Sequence, residues 1–343
     1  MSTPATETAP TTVESIATPL KGKPGRTSRI VALTIFMAVA ILLPAWRDMG
    51  FYNYVLQIGA VVFMWIAMTS SWNILGGYTG YISLGHNVFF AVGGYVSGML
   101  LLEFGWSPFA TALLAGVVSL ALGALAGLIT YRTHGPSFII STIALLLVVT
   151  LLMDNWAYLG GSNGLSLPLP PFEISWVKVP FYYGMLIAAA LATILGYKVA
   201  HSKFGVALRA ISEDEVKAEV SGIDTRKYKL MAFALSAFFP GVVGALWGYS
   251  LAYLRPVIFL LIAVAARMVL MAIVGGRGTV AGPVIGAMLV VFLDEASITF
   301  FGSSELNLAI TGGLLVVMLL FFPLGIVGSL RDAGHLPAWL DWD

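Results

Sequence analysis

The feature that most constrains this chain is the recurrence of uninterrupted apolar runs, each close to the length of a bilayer crossing. About 20 apolar residues in a helix traverse a hydrocarbon core roughly 30 Å thick, and about 17–25 are tolerated. Ten such runs are present, at 30–46, 54–75, 86–104, 108–130, 138–159, 181–200, 228–252, 257–274, 280–301 and 305–322. Lipid offers the backbone no hydrogen-bond partner, so a single run satisfies its own N–H and C=O groups only as a helix. The expected fold is therefore all-α: a polytopic bundle of eight to ten transmembrane helices. The segments around 76–100 and 257–274 are open to a re-entrant path. Composition agrees, with 59% hydrophobic and only 10% charged residues, against about 25% charged in a soluble domain. A net charge of +1 argues against a nucleic-acid surface. The absence of cysteine excludes disulfides, thiolate metal sites and cysteine nucleophiles.

The flanks of the runs carry the topology. Residues 1–29 form an expected cytoplasmic tail, Thr-, Pro- and Ala-rich and disordered at its start, ending in Lys21, Lys23, Arg26 and Arg29. The run after it lacks an A-x-A-like end, so it reads as a retained span and not a signal peptide. With the N-terminus inside, fourteen Lys and Arg residues fall on the inner side, and only Arg47, Lys178 and Arg255 fall outside. That asymmetry is the one the positive-inside rule requires. Trp46, Trp106, Trp156 and Trp176 sit at outer span ends, as interfacial anchors do. Residues 30–323 then form the membrane domain, and 324–343 a cytoplasmic tail whose Trp339 and Trp342 are expected to dock on the inner surface.

One long polar segment interrupts the spans, at 201–227. It reads as two short helical pieces. Ser212 and Glu215 have capping-box spacing. Glu213, Asp214 and Glu215 would occupy a first turn, where the helix dipole favours negative charge. Val216, Val220 and Ile223 make one apolar stripe, Gly222 is a natural stop, and Asp224 or Thr225 is placed to cap the next helix. Such an amphipathic helix either packs on its own bundle or docks into a cytoplasmic partner.

Several polar features lie within or beside the spans. Ionisable groups there cost about 2.5–3.5 kcal/mol by insertion scales, so they should face protein or water. Arg267, Asp294 and Glu295 are of this kind, and Arg267 is expected to pair with Asp294 or Glu295 on a transport path or subunit interface. His86 and Asn87 open a glycine-rich segment and are further path candidates. Four histidines without metal-ligand spacing give no metal site. The G-x₃-G pairs 94/98, 123/127, 244/248 and 282/286 predict close helix contacts. Gly160–Gly164 matches the G-x-S-x-G pattern, but no strand–turn–helix setting surrounds Ser162, so no catalytic residue is assigned. The G-x₄-G-K-[ST] phosphate loop is absent, so ATP chemistry would have to come from another chain.

Four stretches carry a family resemblance over about 72–330: GYTGYISLGHNVFFAVGGY (77–95), GGSNGL (160–165), FGVALRAISEDEVKAEVSGIDTRKYKLMAFALSAFFPGVVGAL (204–246) and GGRGTVAGPVIGA (275–287), with FFPLGIVG following. They resemble the LivM-type permeases of branched-chain amino-acid ABC transporters. The resemblance implies an importer subunit of a prokaryotic plasma membrane, without a cofactor of its own. It would work with a homologous second permease, two cytoplasmic ATP-binding subunits and an extracytoplasmic solute-binding protein, within membrane lipid. It makes 201–227 the coupling loop, with Arg209, Ser212, Glu213, Asp214, Glu215, Lys217, Glu219 and Gly222 at the ATPase contact. The strict EAA-x₃-G spacing of many ABC permeases is absent. The resemblance also puts Ser162 and Asn163 in an extracytoplasmic loop near the docked binding protein. Arg267 departs from the family, where an acidic residue is common. Related permeases carry urea or short amides, which stay open as substrates. An ion-coupled secondary transporter using Asp294 or Glu295, and an intramembrane hydrolase using Ser162, are the readings from other classes.

Overall fold

The computed structural model describes residues 26–46, 51–173, 176–302 and parts of 312–342. Eight helices among them are long and apolar enough to cross a membrane. The order is α1 (Arg26–Leu42), α2 (Tyr52–Gly76), α3 (Asn87–Phe104), α4 (Pro108–Thr130), α5 (Pro136–Asn155), α6 (Lys178–Ala200), two short helices α7 (Lys203–Glu213) and α8 (Glu215–Val220), then α9 (Thr225–Leu251), α10 (Pro256–Leu260), α11 (Ile262–Gly275), α12 (Ala281–Phe301) and α13 (Gly325–Asp332). Proline opens α4, α5 and α10, where its missing N–H has no helical partner to lose. Of the expected 1–29 tail, residues 1–25 lie outside the described residues and 26–29 begin α1; most of the expected span 305–322 and Trp339 also lie outside them. Trp342 packs against the core.

α2 and α9 are the most enclosed spans and α5 the least. α2 carries Thr69, Ser70, Ser71 and Asn73, polar groups that lipid cannot satisfy, and all four are buried within the bundle. α9 packs on α4, α3, α2 and α6. The α3–α9 contact depends on glycine: a Cβ on Gly93 would overlap the Gly241 carbonyl, so the two backbones meet directly, as small residues allow in membranes. Pro240 inside α9 is buried and is tolerated because the surrounding helices enclose the weakened turn.

The span expected at 86–104 forms as α3; the residues before it, 77–86, depart from helix and run as irregular chain between α2 and α3. The run 257–274 is not one helix: Leu261 takes an extended conformation, φ −62° and ψ 133°, and splits it into α10 and α11. Both departures are covered by protein on at least one side, the condition under which irregular backbone survives at membrane depth. At one end of the bundle, two-residue strands β1 (Leu165–Ser166) and β2 (Tyr253–Leu254) pair antiparallel, Leu165 opposite Leu254. α8 lies at the other end, beyond the start of α9.

Candidate functional site

The segment 201–227 folds through three side-chain caps. Ser202 Oγ accepts from Gly205 N at 3.2 Å and starts α7. Asp214 Oδ1 accepts from Lys217 N at 3.0 Å and starts α8. Asp224 Oδ1 accepts from Lys227 N at 3.1 Å and starts α9, as expected. Gly222 has φ +86°, the left-handed stop that glycine adopts without a Cβ penalty.

The capping box on Ser212 is corrected. Ser212 and Glu213 form the last turn of α7, and the chain turns at Asp214, φ −162° and ψ 110°. Glu215 does not reach back to Ser212 because its carboxylate is held elsewhere. Its Oε1 meets Lys229 Nζ at 2.7 Å, Tyr81 OH donates to its Oε2, and His134 Nε2 stands 3.4 Å away. Lys229 also donates to Tyr131 O at 3.0 Å and lies over the Tyr81 ring. Burial pushes the Glu215 carboxyl up, but the hydrogen bonds from Lys229 and Tyr81 outweigh it and leave the group below its ordinary value. Burial, then the bond to Glu215, pushes the Tyr81 phenol up. The Lys217 backbone N–H holds Asp214 below its ordinary value.

The remaining members of the segment divide by what they touch. Arg209 Nη2 donates to Ala200 O at 2.7 Å, Glu219 accepts from Thr225 at 2.7 Å, and Lys217 pairs with Asp214 at 3.1 Å. Ser212, Glu213 and Glu219 are exposed. Ala218 is buried under α8, while Val216 and Val220 point away at 71% and 85% exposure. Val216 and Val220 therefore do not pack on their own bundle, while Ile223, the third member of the expected stripe, is half-buried.

The polar residues that the sequence singled out within or beside the spans sit in separate places. His86 is fully buried, with Nδ1 2.9 Å from Ser83 Oγ and Nε2 2.8 Å from Ser236 Oγ. Ser236 donates its own proton to Phe233 O, so Nε2 is the protonated nitrogen, and it donates to Ser236. Asn87, also fully buried, donates from Nδ2 to Phe259 O at 3.2 Å and Leu261 O at 3.0 Å, the carbonyls flanking the α10–α11 break. Arg267 pairs with Asp294, and its guanidinium lies over the Trp65 ring. Glu295 instead accepts from Tyr54 OH at 3.0 Å.

Two residues outside the sequence-derived set prove central. Asn73 bridges the turn between α11 and α12, donating to Thr279 O at 2.9 Å and accepting from Gly278 N at 2.9 Å. Its signal was an amide near the end of an otherwise apolar helix. Tyr81 joins α8 to the irregular segment 77–86, and nothing local marks an aromatic residue for that role.

At the opposite end, Ser162 O accepts from Arg255 Nε at 3.2 Å and Asn163 O from Tyr253 OH. Ser162 Oγ donates to Asp154 O at 3.4 Å, with no histidine beside it, so the G-x-S-x-G match is a turn. A groove of about 790 Å³ between α4, α6 and α9 is walled by Phe109, Leu113, Ile187, Leu191 and Phe238 and offers a polar solute little to bind. Among the described residues no cluster of His, Asp or Glu is arranged to hold a metal.

Residues 54–319 match the family model described as branched-chain amino acid transport system, permease component. The chain is 27% identical to the high-affinity branched-chain amino acid transport system permease protein LivM of Salmonella typhimurium, over 86% of this chain and 75% of that protein. It is 26% identical to LivM of Escherichia coli over the same shares. It is also 26% identical to the permease protein LivH of Escherichia coli, over 74% of this chain and 87% of LivH. These relatives are transport permeases and not enzymes. No solved structure matches the chain.

Proposed function

The chain belongs to the family of branched-chain amino acid transport system permease components, and from that membership we propose that it is the LivM-like permease subunit of an ATP-driven importer, carrying branched-chain amino acids across a prokaryotic plasma membrane. The observation that carries the proposal is α8. It is tied to the bundle through Glu215, Tyr81 and Lys229, yet turns Val216 and Val220 outward. An exposed apolar pair on a rigidly held helix is what a docking element for a partner protein needs. In this reading α8 faces the cytoplasm, as the distribution of Lys and Arg requires, and two ATP-binding subunits dock on it. Escherichia coli has both a LivM and a LivH similar to this chain, which supports a heterodimer of related permeases. Ser162 and Asn163, clamped to Arg255 and Tyr253, then form a rigid outer surface for a solute-binding protein.

The connection from α8 inward is short. Glu215 holds Tyr81, and the segment that begins there leads to His86, Asn87 and the α10–α11 break. A pull on α8 is therefore delivered to α9 through Lys229 and, through Tyr81, to the irregular backbone that leads to His86 and Asn87. The test is uptake into proteoliposomes holding the complete transporter, loaded with ATP or a non-hydrolysable analogue. Leucine uptake with ATP alone is the expected result. Uptake of urea or acetamide instead of leucine would replace the substrate, and uptake without hydrolysable ATP would end the proposal.

A further inference from the structure

The two irregular segments meet near the middle of the membrane. Ser119, the central residue of the 23-residue α4, donates to Phe89 O at 3.2 Å and so fixes the depth of the start of α3. Asn87 stands there and joins that start to Phe259 O and Leu261 O. From the break, α11 runs 14 residues, about 21 Å at 1.5 Å per residue, to the turn held by Asn73.

Three features of the break point to a ligand. First, the N–H groups of Ile262 and Ala263 have no acceptor among the described residues. They stand at the N-terminus of a 14-residue helix, where the dipole favours negative charge. Second, Asn87 is fully buried at the same place, and its Oδ1 has no hydrogen-bond partner among the described residues. The two carbonyls on Nδ2 fix the amide, so Oδ1 is left as an acceptor. Third, Leu261, Ile262 and Ala263 are exposed on the chain alone. Unpaired backbone cannot face hydrocarbon, where each such group costs several kcal/mol. This face must therefore border water or protein, and the path between two permeases supplies both.

We propose that the break receives the head group of the amino-acid substrate: the free N–H groups at the start of α11 bind its carboxylate, and Asn87 Oδ1, shielded until the break opens locally, accepts from its ammonium group. The exposed Val257, Ile258 and Leu261 provide apolar surface for an aliphatic side chain. A lipid head group does not reach this depth, so the carboxylate is the solute's own. This inference rests on the transport reading above.

Backbone donors can be removed one at a time. Ile262 is the first residue of α11, where proline is favoured, and Leu261 already has the extended conformation that a residue before proline prefers. Ile262→Pro thus deletes one N–H and leaves the backbone in place, while Ile262→Ala removes the side chain and keeps the N–H. Leucine transported per ATP hydrolysed is measured in proteoliposomes holding the complete transporter. Ile262→Pro is expected to lower that ratio about tenfold or more, the usual effect of losing a hydrogen bond to a charged group, with ATP hydrolysis retained. Ile262→Ala is expected to stay near wild type. Equal ratios for Ile262→Pro and wild type, or equal losses in both variants, would overturn the site and leave the transport reading standing. A wild type that hydrolyses ATP and moves no leucine would remove the substrate reading and this site with it.

Discussion

Lys229 and Glu215 form the joint between α8 and the bundle, and Lys229→Met tests it. Their side chains are 7% and 15% exposed and 2.7 Å apart. Removing one partner of a buried pair commonly costs about 3–5 kcal/mol, because the other charge is left uncompensated. Here Tyr81 and His134 remain on Glu215 and some solvent reaches it, so about 2–3 kcal/mol is the appropriate scale. That corresponds to a shift of roughly 30–150-fold in the equilibrium between docked and undocked α8. The amides of Ala218, Ser221, Gly222 and Ile223 are hydrogen-bonded only while the α8 turn is intact, so hydrogen exchange reads the opening directly. The variant should exchange these amides about 30–150 times faster than wild type. Glu215→Gln added to Lys229→Met removes the stranded charge and should recover most of the protection. Unchanged exchange in Lys229→Met would refute the joint. The pH dependence has a definite sign. Glu215 titrates below its ordinary value in the fold, so its contribution is fully present above an ordinary carboxylate pKa of about 4.3. It is lost as pH falls through the depressed folded value.

Three further outcomes follow from the packing. Asn73→Ala strands Gly278 N–H and Thr279 O in a buried turn and should cost about 1–3 kcal/mol for each unsatisfied group, read as a lowered melting temperature in detergent, whereas Asn155→Ala, at an exposed helix end, should change it little. Gly93→Ala forces α3 from α9 and should destabilise by about 1–3 kcal/mol as overpacking does, measured by the same melt. Arg267→Met leaves Asp294 unpaired in a span, and the double variant Arg267→Met/Asp294→Leu should be the more stable of the two; the reverse order would show that the pair is not the reason for either charge.

Much of the bundle was legible because lipid permits so few solutions. Apolar length and the positions of Lys and Arg suffice to place helices such as α4 and α9, and Gly222 and Asp224 mark their turns by local chemistry. The break at Leu261 was not legible. No proline or glycine stands at Leu260–Ile262, and the side chain that holds the break, Asn87, lies 174 positions away. The start of α8 was misplaced for a related reason. Ser212 and Asp214 are both good caps, and the choice is made by Lys229 and Tyr81, which draw Glu215 away from Ser212. The partner of Arg267 was narrowed to two acids by sequence. Only the packing of Tyr54 on Glu295 leaves Asp294 as the partner.

The most direct test of the account is co-purification through a tag on the N-terminal tail, from detergent-solubilised host membranes, of wild type against a Val216→Asp/Val220→Asp variant. These two side chains face outward, so the substitutions leave the fold intact. The account predicts that wild type brings down two ATP-binding subunits and a second permease, and that the variant keeps the permease and loses the ATP-binding subunits. A wild type that purifies alone while still catalysing leucine uptake in vesicles would contradict it.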